Sequence, residues 1–307
     1  MHLVAYAKNR AKLIEIPHDC AITFEFDAEH RRERFIAATN HDRAVLSEPE
    51  SKSVLEAYGI HVTQTKIART IDEAVAIGAQ LGYPVVMKIH SPEISHKTDV
   101  GGVELNIHSD EQVRTAFDRL AGNLKQHRPD ASFNGVTIQP MVVESLNREL
   151  ILGSKRDPVF GPVILVGAGG ITAELFHDTA LELPPLNESL AHQMLQSLQS
   201  WPILQGYRGR RGVDIDKMVE VLVRFSTLVS ECPDIEELDI NPLVVTERDV
   251  IALDARIVVR HDSAATPSPR FSHLAIRPYP TELIRQNQLA NGTTILLRPI
   301  RPEDEPM

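Results

Sequence analysis

The sequence predicts an α+β protein of layered helices and sheets. Helix-opening signals recur, each a Ser or Thr followed three residues later by Glu or Gln and then an amphipathic run. Short apolar or alternating strand runs lie between them. Several of these runs are neighbours in the chain with no helix between, which disfavours a strict βαβ repeat. No internal repeat is visible.

The regular pattern begins at Leu46. Ser47 with Glu50 makes a capping box, Pro49 sits early in the turn, and Gly59 closes the helix. Thr70 with Glu73 opens a second helix that Gly82 stops, and Ser109 with Gln112 opens a third running toward His127. Strands are predicted at 61–68, 84–90, 103–107, 135–142, 148–154 and 162–166. Helical patterns return at 188–198 and 214–230. In the latter Met218, Leu222, Phe225 and Val229 fall on one face. The last two strands are 237–245 and 250–259.

The 307 residues are 42% hydrophobic and 24% charged, which excludes a disordered or low-complexity chain. A net charge of −10 argues against a nucleic-acid binder, which needs a basic face. No apolar run approaches the ~18 residues of a membrane span. The opening residues lack the apolar core of a signal peptide. Cys20 and Cys232 are the only cysteines, too few for a disulfide framework or a four-cysteine zinc site. A reduced, cytoplasmic protein is expected. Residues 1–43 read either as a linker and remnant of an upstream region or as a helix and strand docked on the main body. Residues 44–260 form the main unit. Residues 261–272, including HDSAATPSPR, read as a linker. From 273 a new unit starts, with a strand near 293–298. It is too short to bury a core by Met307, so the sequence reads as truncated there.

Four places are chemically informative. Lys88 lies in the apolar strand YPVVMKIH and either contacts phosphates or faces solvent on an amphipathic strand. The loop from Ser95 to Gly102, SHKTDVGG, brings His96, Lys97, Gly101 and Gly102 together. Its backbone N–H groups suit phosphate oxygens, Lys97 adds a point charge, and His96 is a candidate base or phosphoryl acceptor. The plain alternative is an ordinary turn. In the last hairpin a turn centred between Glu247 and Arg248 makes partners sum to 495, so Asn241 faces Asp254, with Asp239 on the same face. Opposed oxygen donors suit magnesium, although a solvated polar face gives the same pattern. Gly167, Gly169 and Gly170 in PVILVGAGGITAELFHD lack the spacing and βαβ setting of a dinucleotide fingerprint and read as a structural turn.

Together LSEPESKSVLEAYGI, YPVVMKI, SPEISHKTDVGGV, IQPMV, RELILGSKRDPVFGPVILVGAGG, GYRGRRG and ELDINPLVV with ALDAR resemble the ATP-grasp domain of ADP-forming (NDP-forming) acyl-CoA synthetases, relatives of succinyl-CoA synthetase. They run in family order over residues 44–260. SHLAIRPYPTELI and GTTILLRPIRPEDEP resemble the junction into a GNAT acetyltransferase domain, as in Pat-type protein lysine acetyltransferases. MHLVAYAKNRAKLIEIP resembles the segment after an upstream CoA-binding part.

The resemblance implies an ATP-grasp fold of two subdomains with nucleotide between them. It implies that Lys88 contacts the α/β-phosphates and that backbone groups of Gln139, Met141 and Val142 hold adenine. It places Glu144 and Glu149 near the ribose and base, and makes Asn241 and Asp254 the magnesium ligands. His96 would accept phosphate from ATP, and Asp239 would steady the phosphohistidine. The implied cofactors are ATP or ADP and Mg2+, with CoA or acyl-CoA bound through another domain. The implied partners are the CoA-binding and GNAT domains of the parent chain, with homo-oligomerisation open, and neither nucleic acid nor membrane. Two readings compete: a module that phosphorylates His96, or a non-catalytic nucleotide- or acyl-CoA-sensing domain controlling an attached acetyltransferase. A carboxylate–amine ligase of the same fold would lack the SHKTDVGG loop. No complete GNAT acetyl-CoA loop is present, so this chain is not expected to acetylate lysine.

Overall fold

A computed structural model describes residues 25, 27–39, 43–94, 97–142, 148–170, 178–209, 211–260, 271–279, 283–300 and 304. Two separate hydrophobic cores form, each against its own antiparallel sheet.

The smaller body is a four-stranded sheet in the order β1 (Lys66–Ala68), β4 (Val136–Pro140), β2 (Val85–Ile89), β3 (Val103–Ile107). Two helices, α3 (Ile71–Leu81) and α4 (Asp110–His127), pack on it and on each other. Both begin where their caps predict: the Thr70 and Ser109 side chains accept from the N–H groups of Glu73 and Gln112. Val113, Phe117, Leu120 and Leu124 bury one stripe of α4 against Val85, Met87, Ile89, Val136 and Ile138. Strand side chains alternate, so Lys88, Thr137 and Gln139, out of phase with this core, face the other side of the sheet.

The larger body is a six-stranded sheet. Its path runs β10 (Ala255–Val259), β8 (Ile235–Val245), β5 (Arg148–Asp157), β6 (Gly161–Ala168), β7 (Thr179–Glu182), with β9 (Val250–Ala252) also on β8. The helices α2 (Glu48–Ala57), α5 (Glu188–Gln196) and α7 (Ile215–Glu231) contribute most of the helical side chains to its core. In α7 the four residues expected on one face, Met218, Leu222, Phe225 and Val229, are all buried. Residues 61–63 join the bodies. Val62 bridges Ala252, Ala252 N–H donates to His61 O at 2.9 Å, and Thr63 N–H donates to Ala252 O at 3.2 Å.

Four elements depart from expectation. The strand expected at 61–68 is laddered only over Lys66–Ala68, because its first half lies along β9 instead. The strand expected at 250–259 is broken at Leu253–Asp254 into β9 and β10. The edge strand β7 and the five-residue α6 (Trp201–Gln205) are too short to show a period. Within 1–43, for which a docked helix was one of two readings, α1 (Ala28–Thr39) packs along α2. Its buried residues are Arg31 and Phe35, one of them charged, so no apolar stripe reveals it. The Arg31 guanidinium donates to Glu231 at 2.7 Å and lies 5.2 Å from the centre of the Tyr58 ring. Phe35 enters the larger core.

Residues 261–270 of the expected linker lie outside the described residues. At the start of the next segment His273 Nε2 lies 3.3 Å from Val229 O and Leu274 is buried, while the buried Tyr279 donates its hydroxyl to Pro299 O at 2.6 Å. An exposed hairpin follows, in which the strand expected near 293–298 is β12 (Thr294–Leu297), paired with an unexpected β11 (Arg285–Gln288).

Phe35→Ala tests the docking of α1. Burial in the larger core predicts a loss of about 3 kcal/mol in urea unfolding, whereas a helix in a linker leaves the midpoint unchanged.

Candidate functional site

The site is built first on α2. Positions 48, 51, 52 and 55 follow each other by helical steps and form one buried stripe, of which Leu55 is the apolar member. Glu48 and Lys52 therefore carry opposite charges into the protein, at 7% and 3% exposure. Buried charges of this kind persist only when paired and hydrogen-bonded. The Lys52 ammonium donates to Glu48 Oε1 at 3.0 Å, Thr63 Oγ1 at 2.9 Å, Thr65 Oγ1 at 2.7 Å and Gln139 Oε1 at 2.8 Å. It thereby ties α2 to the inter-body segment and to β4.

Two further lysines arrive from the smaller body. Lys88 donates to Glu48 Oε1 at 2.9 Å and Asp254 Oδ2 at 3.0 Å. Lys97, from the short turn after the loop, donates to Glu48 Oε2 at 3.1 Å and Asp254 Oδ2 at 3.4 Å. Glu48, Lys88, Asp254 and Lys97 thus close a ring of alternating charge between the two bodies. With Lys52, three ammonium groups face two carboxylates, an excess of one positive charge. Burial acts to raise the Glu48 carboxyl, but Lys88, Lys97 and Lys52 hold it far below the usual carboxylate range. Burial opposes the Lys97 ammonium, yet Glu48 and Asp254 hold it above its ordinary value. Burial pushes Lys52 down to about 8, against the attraction of Glu48.

The break between β9 and β10 has a local cause. The pairs Leu243↔Ala252, Ile240↔Ala255 and Arg256↔Asp239 all keep the sum of 495, which puts Pro242 opposite Leu253. Leu253 N–H donates to Pro242 O at 3.1 Å, but proline has no N–H to return. The Leu253 carbonyl instead accepts from Lys88 at 3.0 Å. A buried carbonyl without a partner is costly, so the proline gives Lys88 a backbone anchor.

Asn241 and Asp254 hold opposed positions in this register. Asn241 is exposed, and Asp254 Oδ1 accepts from the Ala255 N–H at 2.9 Å. Among the described residues no group of three or more His, Cys, Asp or Glu side chains is arranged to hold a metal. As metal ligands the pair offers oxygens only. That fits a hard cation that takes few protein ligands and completes its shell with water and phosphate oxygens. Asp239 lies two pairs further along β8, opposite Arg256 and Gly153.

The remaining expected residues separate into three groups. Gln139 is buried and joins the network through Lys52. The Met141 N–H donates to Pro84 O at 3.0 Å, so in this arrangement it is already engaged; Val142 follows, half-buried. Glu149 sits on β5 beside Gly169, whose N–H donates to Glu149 O at 2.7 Å, and it makes no contact with the lysines in the ring. A Cβ on Gly169 would lie 2.9 Å from that carbonyl, which accounts for the glycine by packing. His96 and Glu144 lie outside the described residues. The loop glycines differ from expectation. Gly101 N–H donates to Thr98 O and Gly102 N–H to Lys97 O, so both donors shape the turn that presents Lys97 instead of facing the cleft.

Glu48 and Lys52 are the residues that motif reading missed. Their signal was in the sequence: two charges on the same helical stripe as Leu55, i and i+4 apart. His90, nearby, is held below its ordinary value by burial and then by Lys97 and Arg69, and so tends to neutrality.

The ATP-grasp domain family matches residues 37–259. The β subunit of acetate–CoA ligase (ADP-forming) I from Pyrococcus furiosus is 43% identical over 214 residues, covering 70% of this chain and 91% of that subunit. Acetate–CoA ligase (ADP-forming) I of Archaeoglobus fulgidus is 41% identical over 210 residues, and the match spans 30% of its length. The structure of acetyl-coenzyme A synthetase 1 from Ca. Korarchaeum cryptofilum with coenzyme A and Ca-AMPCP superposes with a TM-score of 0.71. It is 37% identical and the match covers 75% of this chain and 99% of that one. The same enzyme with coenzyme A and Mg-AMPPCP, its phosphohistidine segment pointing towards the nucleotide-binding site, gives 0.64 at 35% identity, covering 75% and 100%.

The low position of the Glu48 carboxyl has a pH consequence. Protonating it breaks its attraction to three ammonium groups, so its stabilising contribution is present above the ordinary value of 4.5 and fades as pH falls below it. The melting temperature of the wild type should drop more steeply between about pH 5 and about pH 3 than that of Glu48→Gln. Parallel curves would mean that Glu48 is not so held.

Proposed function

Because this chain belongs to the ATP-grasp domain family, in the branch of ADP-forming acetyl-CoA synthetase β-subunit-like proteins, we propose that it binds Mg-ATP between its two bodies and exchanges a phosphoryl group with His96. The observation that carries this reading is the cluster of Lys52, Lys88 and Lys97 with Glu48 and Asp254, which leaves one excess positive charge where the two bodies meet. Phosphoryl transfer asks a protein mainly to position and to neutralise, and these groups do both.

In the proposed step Lys88 and Lys97 turn their N–H groups onto phosphate oxygens. The chain leaving β4, from Gln139 through Met141 and Val142, lies against the base, with Glu144 and Glu149 toward the ribose and base. A lone pair on one neutral ring nitrogen of His96 attacks the terminal phosphorus. The bond to the bridging oxygen breaks, and ADP leaves with the electron pair. The other ring nitrogen keeps its proton, and Asp239 orients the ring through it. Asn241 and Asp254 would hold magnesium, which supplies charge neutralisation on the phosphates. In the reverse direction the phosphohistidine returns its phosphoryl group to ADP. Coupling to an acyl group and CoA belongs to a CoA-binding partner domain.

Incubation with magnesium and γ-labelled ATP should give acid-labile, base-stable label on the wild type and none on His96→Asn. Equal label on both proteins, or none on the wild type, rejects the step. Lys88→Met should lower incorporation at least about tenfold at saturating ATP, measured as initial rate.

One observation favours a second reading, in which the same body senses nucleotide or acyl-CoA for an attached GNAT-type lysine acetyltransferase. His273 lies against Val229 of the larger body, and the chain beyond it leads into the hairpin β11–β12. A change in the angle between the bodies has a path to a following unit through that contact. Deleting residues 1–260 from a fused acetyltransferase should then abolish its response to effectors; an unchanged response rejects this reading.

A further inference from the structure

The three lysines of the site are held unequally. Lys52 has four acceptors within 3.0 Å, two of them threonine hydroxyls and one the Gln139 amide. An ammonium has three hydrogens, so Lys52 is saturated where it stands. Lys88 has two carboxylates and one backbone carbonyl. Lys97 has two carboxylates, the longer contact at 3.4 Å, and is the most exposed of the three, at 17% of its side chain. One carboxylate, Glu48, is common to all of them.

We propose that Glu48 is a positioning residue for the nucleotide phosphates: it holds Lys88 and Lys97 beside Asp254 between the two bodies and, anchored by Lys52, releases them to an incoming phosphate. This rests on the nucleotide-binding reading above. An anion entering the ring competes with Glu48 for Lys88 and Lys97. When it wins, Glu48 keeps its ion pair with Lys52 and is not left as an unpaired buried charge, which would be far more costly. Lys52 is thus the partner that makes the exchange feasible, and Glu48 fixes where the two mobile ammonium groups wait.

Opposite effects follow for the two residues. Glu48→Gln removes the competing carboxylate, so Mg-ADP should bind about tenfold more tightly. Lys88 and Lys97 then lack a fixed waiting position, so the rate of label incorporation at saturating Mg-ATP should fall about tenfold. Lys52→Met leaves Glu48 with only Lys88 and Lys97, so Mg-ADP should bind about tenfold more weakly. The double variant removes carboxylate and anchor together and should return to within about threefold of the wild-type affinity.

The experiment is calorimetric titration of Mg-ADP into the 307-residue chain and the three variants, with incorporation rates from Mg-ATP in parallel. Singles of opposite sign with a compensating double support the proposal. A purely structural role predicts that both singles weaken binding and that the double is worse, and that result overturns it. If Glu48→Gln does not fold, Lys52→Met and the double variant still decide, because a double no tighter than Lys52→Met refutes the exchange. Failure of the wild type to bind Mg-ADP would bring down the nucleotide reading itself, whereas normal wild-type binding with unaffected variants overturns only the role of Glu48.

Discussion

A single buried carboxylate organises the meeting of the two bodies. Glu48 is reached by Lys52 from its own helix, by Lys88 from the smaller sheet and by Lys97 from the turn beyond it. Each of those lysines then reaches onward, Lys52 to Gln139 and Lys88 and Lys97 to Asp254. Neither hydrophobic core includes these groups, yet they span the gap between the cores. Apolar packing makes each body; charge pairing around Glu48 sets how one presents itself to the other. Water-excluded charges interact strongly at these distances, so the arrangement is specific where a greasy contact would be tolerant.

The elements of both bodies were legible wherever a cap and a period coincided. Thr70 and Ser109 cap the helices that follow them, and the constant hairpin sum holds from Val245 back to Glu237. What escaped was encoded without periodicity. The helix α1 docks through one arginine and one phenylalanine, and β7 and α6 are too short to repeat anything. The strand before Lys66 was misread because Val62 takes its partner from the other sheet, a tertiary choice that local sequence does not contain.

The candidate site divided along the same line. Lys88, Lys97, Gln139 and Asp254, named from motif, register and family resemblance, lie in one network, which Gln139 joins through its side chain. The roles of Asp239 and Glu149 rest on resemblance alone. The glycines after Lys97 proved to be turn formers whose N–H groups are internally used. Glu48 and Lys52 were hidden in a stretch that reads first as a capped helix, because a capping box explains local residues so completely that the buried stripe behind it goes unexamined.

Pro242 shows that a functional position can be defined by a missing atom. It offers no charge, no donor and no ligand oxygen in its side chain, so any inventory of reactive groups passes over it. Its effect is to leave one backbone oxygen of a neighbouring strand unspoken for, and the lysine that answers it is Lys88. The chemistry of the cleft is therefore written partly into the hydrogen-bond accounting of a sheet. Substitutions there would be invisible to criteria of size, polarity or hydrophobicity, while changing which group holds the lysine in place.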